Sequence, residues 1–159
     1  QNAMTPELAV AIGYASAIGL SAFGSAIGTG LAGLSAVGAG KRCFLQQEPF
    51  PFILMAFVGA PLTQTIYGFL LMNAILGIAP EVIEKSAQSA AFLFSGGVGG
   101  GLAIGMAAIM QGRAAAAACD ALADTGKGFV NFMMILGVIE SVALFVMIFI
   151  IVILNQLVA

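Results

Sequence analysis

A single carboxylate, Glu140, stands inside the most apolar stretch of the chain. It follows the last basic residue, Lys127, by 13 positions, and 19 almost entirely apolar residues come after it. A charged side chain at the centre of a bilayer costs roughly 2.5 kcal/mol or more, so a carboxyl group there indicates a function such as ion or proton binding. The alternative is a protonated glutamic acid that only hydrogen-bonds a neighbouring helix.

A second set of polar positions falls earlier in the chain with helical spacing. Its members, at i, i+3, i+4 and i+7, are Ala60, Thr63, Gln64 and Tyr67, and this spacing predicts one helix face. Pro61 removes a backbone donor within the set, which predicts a backbone carbonyl without its helical partner. Gln111 supplies a further amide. Taken singly, each of these side chains could instead only form hydrogen bonds that hold neighbouring helices together.

The depth of these side chains in their helices predicts that they act together. Gln64, Gln111 and Glu140 each lie 13 residues from the nearest polar break, counted from Pro51, Asp124 and Lys127 respectively. At about 1.5 Å per residue, all three lie roughly 20 Å from the same ends of their helices. A carboxylate, two amide oxygens, a hydroxyl and a freed carbonyl would then converge, and ligation by oxygen alone suits a hard cation.

The positions of the charges predict the elements that carry these residues. The chain is 61% hydrophobic and only 8% charged, which indicates a membrane protein. Uncharged stretches of 33, 32 and 27 residues, and a last stretch of 32 residues interrupted only by Glu140, each exceed the roughly 20 needed to span a bilayer. We therefore expect an all-α membrane protein with four transmembrane helices in two tandem hairpins, 4–79 and 80–159. Residues 1–3 are interpreted as the remnant of an expression tag.

The predicted breaks between spans lie at 41–51, 79–86 and 124–127, and their basic residues predict the orientation. Lys41, Arg42, Lys127 and Arg113 lie on one side, against Lys85 on the other. The side richer in Lys and Arg is expected to be cytoplasmic. Loops 41–51 and 124–127 are then cytoplasmic, and both termini are outside.

Small side chains line spans one and three, whereas spans two and four are rich in Phe, Met, Ile and Leu. In span one they form two ridges, of which one runs through Gly13, Ala17, Ser21, Ser25, Thr29 and Gly33 and the other through Gly24, Gly28, Ala32, Ala36 and Gly40. Small residues let helix axes approach closely in lipid. One interpretation is ordinary pairing of helices within one bundle. The sharper prediction is a homo-oligomeric ring with the thin helices on its inner circle.

Composition also excludes some partners. The net charge of −2 and the five basic residues provide no basic face, so nucleic acid is not expected as a partner. Cys43 and Cys119 match no metal or redox spacing, and we expect both to be free thiols.

Three segments carry a resemblance to a known family: residues 60–69 (APLTQTIYGF), 110–115 (MQGRAA) and 138–141 (VIES). The chain resembles the rotor-ring proteolipid of V-type ATPases, the c or K subunit, and is most similar to the bacterial sodium-translocating type. The resemblance covers essentially the whole chain after Met4. It implies an integral protein of a bacterial plasma membrane.

The resemblance further implies what each residue does. Sodium would be bound by side-chain oxygens of Glu140, Gln111, Gln64 and Thr63 and by the carbonyl of Ala60, while the Tyr67 hydroxyl holds Glu140. The implied partners are identical copies in the ring, lipid, a stator membrane subunit with a basic residue, and central-stalk subunits. The implied role is non-catalytic, and the chain contains no phosphate-binding Gly-Lys-Ser/Thr loop of its own.

Three other functions stay open at this point. The ring could carry protons alone, with the polar neighbours of Glu140 serving only as hydrogen-bond partners. The chain could be a self-contained channel or small transporter, although the thin helices supply few groups to line a pore. It could also be a purely structural membrane assembly protein, in which case the reactivity of Glu140 would not depend on ions.

Overall fold

The computed structural model describes residues 4–158, and the expected tag remnant at 1–3 lies outside them. The described chain is helical almost throughout, as predicted. Its elements in order are α1 (Pro6–Leu45), α2 (Leu54–Gly59), a 3₁₀ turn (Ala60–Leu62), α3 (Thr63–Lys85), α4 (Ala87–Thr125) and α5 (Phe129–Asn155). Helix α2, the 3₁₀ turn and α3 follow one another without a loop and form one span, Leu54–Lys85.

Four helices among the described residues are long and apolar enough to cross a membrane, which confirms the predicted four-helix architecture. Large apolar side chains on their outer surfaces are exposed, Phe23, Leu34 and Val138 among them, as expected for helices that face lipid. The most apolar of the four is α5. Glu140 therefore lies on the helix least suited to a charge.

Local sequence signals fix several of the helix ends. Thr5 caps α1, where its hydroxyl accepts a hydrogen bond from the backbone N–H of Leu8, and Ser86 caps α4 by accepting from the N–H of Ser89. The turn between α4 and α5 contains Gly126 and Gly128 at φ values of 64° and 91°. Only glycine adopts such angles readily, so these two residues allow the sharp reversal.

Two predicted breaks are shorter than expected. Helix α1 continues through Lys41 and Arg42 to Leu45, and α3 continues through Pro80 to Lys85, so that the second break is Ser86 alone rather than 79–86. The reason is that a charge marks where a helix leaves the apolar part of the membrane, not where its backbone hydrogen bonding stops.

Helices α1 and α4 pack backbone to backbone through their glycines. A Cβ added to Gly13 would lie 2.5 Å from the carbonyl oxygen of Leu93, and one added to Gly24 would overlap the backbone of Gly105. One added to Gly28 would overlap the carbonyl of Ala108. The small residues of both ridges on α1 therefore allow the close approach of helices that the sequence predicted, and this approach is between two helices of one chain.

The core of the chain divides into two apolar clusters with a polar layer between them. The first cluster is built around Leu71, Ile75, Leu93 and Ala143, and the second around Phe57, Leu54, Ala115 and Leu136. Along α1, the buried hydroxyl residues Ser21 and Ser25 fall between the parts of the helix that belong to each cluster. The polar side chains singled out from the sequence lie at this same level.

The ends of α1 and α4 are joined on the side predicted to be cytoplasmic. The guanidinium of Arg42 forms ion pairs with Asp120 and, at 3.4 Å, with Asp124. Cys43 and Cys119 are free thiols, as predicted, and both are buried. A thiol reagent would therefore reach neither of them readily.

The buried native thiols allow a test of orientation with introduced cysteines. We expect Glu48→Cys, in the exposed loop after α1, to react with an impermeant thiol reagent only from the cytoplasmic face. The reason is that this loop follows the end of α1 that carries Lys41 and Arg42, and basic residues mark the cytoplasmic side. Glu84→Cys, exposed near the opposite end of the bundle, is the matched control and should react only from the outer face. Labelling in sealed vesicles of known orientation makes the measurement, and the reverse pattern would show that the orientation is inverted.

Candidate ion-binding site

The carboxylate of Glu140 is held by donors from two other helices. The Tyr67 hydroxyl of α3 donates to Glu140 Oε1 at 2.8 Å, and Gln111 Nε2 of α4 lies 3.5 Å from Glu140 Oε2. Both carboxylate oxygens thus have a donor within hydrogen-bonding distance, and these two donors hold the Glu140 side chain in one orientation at mid-helix on α5.

Gln111 links Glu140 to the helix that carries the rest of the site. Its side chain is fully buried, and its Nε2 also donates to the backbone carbonyl of Leu136 at 3.0 Å. Its Oε1 accepts a hydrogen bond of 2.8 Å from Gln64 Nε2. The carbonyl of Leu136 lies one helical turn before Glu140, so this bond fixes the Gln111 amide directly beside the carboxylate.

The turn around Pro61 presents the remaining oxygens. Because Pro61 has no N–H, the backbone narrows there to the 3₁₀ turn, and the N–H of Ala60 bonds to the carbonyl of Phe57 three residues back. The Thr63 hydroxyl donates to the carbonyl of Ala60 at 3.0 Å and lies 3.3 Å from Gln64 Oε1. The Ala60 carbonyl also accepts the backbone N–H of Thr63, so the prediction of a carbonyl without a helical partner is wrong for Ala60, although this oxygen and the Thr63 hydroxyl lie next to each other.

All six residues predicted from the sequence are brought into one hydrogen-bonded chain. It runs through Ala60, Thr63, Gln64, Gln111, Glu140 and Tyr67. Ala60 and Thr63 lie at one end of this chain and Glu140 and Tyr67 at the other, joined through the two glutamine amides. The equal depth predicted from residue counts is therefore present in the structure.

The charge of Glu140 has no basic partner. No Lys or Arg nitrogen in the described part of the chain lies within 4 Å of its carboxylate, whereas Arg42 and Lys85 are paired at the ends of the bundle. Residues 4–158 also bring together no cluster of three or more His, Cys, Asp or Glu side chains. The available ligands are a single carboxylate with neutral oxygens, a set that suits a hard monovalent or divalent cation rather than a soft metal.

The site is open towards the outer surface of the bundle. Glu140 and Tyr67 are half-buried, while Gln64 and Gln111 are fully buried behind them. A groove of about 250 Å³ between α4 and α5 begins next to the site and is lined by Ala103, Met106, Ala107, Met110, Ile139 and Val142. An ion bound at the carboxylate would therefore be reached from the membrane-facing side.

Three groups at this level were not predicted from the sequence. The Leu136 carbonyl gives no sequence signal, because any residue could occupy that position. Ser25 and Thr29 were counted only as small residues of a packing ridge, yet their hydroxyl oxygens are buried and have no hydrogen-bond partner among the described residues. Their i, i+4 spacing on α1 was the available signal.

Two comparisons with known proteins bear on the site. Residues 94–153 match the family of the ATP synthase C subunit, a stretch that includes Gln111 and Glu140 but not Gln64. The chain is also 32% identical, over 141 residues, to the A-type ATP synthase subunit K of Methanocaldococcus jannaschii. That alignment covers 88% of this chain and 59% of the relative, so the chain spans somewhat less than two thirds of the relative's length.

Proposed function

We propose that this chain is a rotor-ring subunit of a rotary ATPase whose Glu140 carries sodium across the membrane, and its similarity to the ATP synthase C subunit family and to an A-type ATP synthase subunit K supports the proposal. Sodium is the transported substrate rather than a resident cofactor. The chain itself is non-catalytic, and hydrolysis of ATP belongs to other subunits.

One observation carries the proposal: Glu140 lies at mid-helix without a basic partner among residues 4–158, and donors and neutral oxygens from three helical segments surround it. An uncompensated carboxylate in this position needs a cation or a proton before it can face lipid. The Tyr67 hydroxyl keeps the carboxylate oriented while its charge is exposed. The Glu140 carboxylate can therefore be neutralised when a cation binds and become charged again when the cation leaves.

The neighbouring oxygens favour sodium as the cation. A proton needs only the carboxylate and one hydrogen-bond partner, whereas sodium needs several oxygens at once to replace its water shell. Glu140, Gln111, Gln64 and Thr63 offer four side-chain oxygens, and the Ala60 carbonyl offers a fifth. Both amide oxygens of the fully buried Gln64 and Gln111 already have a hydrogen-bond contact, Gln111 Oε1 with Gln64 Nε2 and Gln64 Oε1 with the Thr63 hydroxyl, so a bound sodium ion would replace these contacts.

The mechanism follows from the charge of the site. A loaded Glu140 is neutral and can pass through the lipid-facing arc of a rotating ring, whereas an empty, ionised Glu140 cannot do so cheaply. Tyr67 and Gln111 return to the carboxylate when the ion leaves, so the side chain stays in register for the next ion. A basic residue on a stator protein would displace the ion by pairing with Glu140.

The partners follow from the same proposal. They are identical copies in a homo-oligomeric ring, with the glycine-rich helices α1 and α4 on the inner circle, a stator membrane protein, and central-stalk subunits at the end that carries Lys41 and Lys127. The ring would lie in a bacterial plasma membrane with both termini outside.

Removal of one amide ligand tests the sodium assignment. We expect Gln111→Leu to raise the sodium concentration that half-protects Glu140 from a hydrophobic carbodiimide by about tenfold or more, because a hydrogen bond or ligand to a charged group contributes roughly 1.5–3 kcal/mol. Gln88→Leu, on the same helix but exposed and far from the site in sequence, is the matched control and should leave protection unchanged.

A proton-carrying ring is the alternative outcome of this experiment. In that case acid would still control the labelling of Glu140, but sodium would protect neither variant nor the unmodified chain. Equal sodium protection of Gln111→Leu and Gln88→Leu would instead show that the buried amide is not a ligand.

A further inference from the structure

Two hydroxyl groups on α1 have no assigned role. Ser25 is only 2% exposed, and neither its Oγ nor the Oγ1 of Thr29 has a hydrogen-bond partner in the described part of the chain. Ser21, one turn earlier, donates to the carbonyl of Ala17 at 2.7 Å. A buried hydroxyl without a hydrogen-bond partner is energetically unfavourable. We therefore expect Ser25 to have a hydrogen-bond partner in another state of the molecule.

The packing of α1 against the second span fixes what lies opposite Ser25. A Cβ at Gly28 would lie 2.9 Å from Pro61 Cβ, and a Cβ at Gly68 would lie 2.5 Å from Ser21 Cβ. Ser25 lies between Ser21 and Gly28 on the same face of α1. Gln64 lies between Pro61 and Gly68 in the same way. The register therefore places Ser25 at the level of Gln64, on the side of the site away from the open surface.

The amide of Gln64 has an unused donor at this point. Its Nε2 carries two hydrogens, and within residues 4–158 this nitrogen donates one bond, to Gln111 Oε1 at 2.8 Å. That oxygen is one of the ligands proposed for sodium. A cation at Gln111 Oε1 would compete with the N–H of Gln64 for this oxygen. The reason is that the cation and the amide hydrogen both carry positive charge.

We propose that Ser25 is a positioning residue that takes over the Gln64 amide when the cation binds. The Ser25 Oγ accepts an N–H of Gln64. This new bond moves the positively polarised amide hydrogen away from Gln111 Oε1 and turns Gln64 Oε1 towards the ion. The Ser25 proton is donated in turn to the carbonyl of Ser21, as Ser21 donates to Ala17. The inference rests on the proposed function, since it concerns the ion-bound state of that site.

Ser25→Ala tests this inference, with Ser21→Ala as the matched control. We expect Ser25→Ala to raise the sodium concentration that half-protects Glu140 from carbodiimide by roughly three- to tenfold, the effect of one lost hydrogen bond. The pH at which half of Glu140 is labelled without sodium should stay unchanged, because Ser25 is not engaged in the ion-free state. Ser21→Ala should change neither value, since its hydroxyl bonds only to its own helix.

The possible results separate this inference from the function on which it rests. Equal sodium protection of the two variants would overturn the role of Ser25 and leave the sodium site intact. A shift in the acid profile together with the sodium profile would indicate a packing defect and would also overturn it. Absence of sodium protection in the unmodified chain would reject the sodium site itself, a result read before any variant is compared.

Discussion

Replacement of Glu140 by Gln is expected to abolish both ion transport and labelling by a hydrophobic carbodiimide. Glutamine keeps the size of the side chain and can still accept the hydrogen bond of the Tyr67 hydroxyl, so the packing of α3 on α5 should survive. It has no carboxyl group to react and no charge with which to bind or release a cation. Transport by the assembled complex should fall to background while the variant is still inserted and assembled.

The control for this variant is a carboxylate outside the apolar region. Glu84→Gln, exposed near the end of α3, removes a charge of the same kind that no described residue pairs with in a salt bridge, and it should leave transport and labelling unchanged. Transport by an assembled Glu140→Gln complex above background would contradict the assignment of Glu140 as the ion carrier.

The second large effect is expected at the contact between α1 and α4. In Gly28→Leu, the new Cβ would overlap the carbonyl of Ala108 and lie 2.9 Å from Pro61 Cβ, and these are backbone or ring atoms that cannot turn aside. Overpacking a tight contact costs roughly 1–3 kcal/mol or more. We therefore expect loss of the assembled oligomer, measured by its mass in detergent.

Gly77→Leu provides the comparison, because a Cβ at Gly77 meets nothing within 4 Å. This variant adds the same side chain to α3 on an exposed face and should assemble normally. If Gly28→Leu assembles as well as Gly77→Leu, the close packing of α1 on α4 is not needed for the oligomer.

The sequence predicted the four helices because a bilayer limits where charges can stand. The uncharged stretches before Lys41, Glu81 and Arg113 each correspond to one span of the structure. The ends of the helices were less predictable. Helix α3 passes through Pro80, because one lost hydrogen bond near an exposed end is too small a cost to stop a helix that is packed along most of its length.

The candidate site was predictable because residues at equal counts from the same side of a membrane lie at similar depth in their helices. Equal counts from the helix ends placed Gln64, Gln111 and Glu140 at one level, and the structure joins them by hydrogen bonds. The side of each helix that faces its neighbours was harder to predict. Helical spacing placed Thr63 and Tyr67 on one face, but it could not give the register of α1, on which the level of Ser25 depends.

Hydrogen bonds from the site to backbone groups could not be predicted from residue types. The carbonyl of Leu136 receives Gln111 because the axis of α5 passes close to that side chain, a distance that depends on every contact between the two helices. The same reason explains why the hydroxyls of Ser25 and Thr29 were interpreted as small packing residues. Their burial without a partner is a property of the folded chain alone.

Protection of Glu140 by sodium is the most direct test of whether this protein binds sodium at its buried carboxylate. The assembled protein is treated with a hydrophobic carbodiimide across a range of pH and sodium concentration, and modification of Glu140 is measured by mass spectrometry. We expect modification to rise as the pH falls, because the reagent needs the protonated carboxyl, and to fall at each pH as sodium is added and holds the group ionised. Modification that follows pH but does not change with sodium would contradict the sodium site.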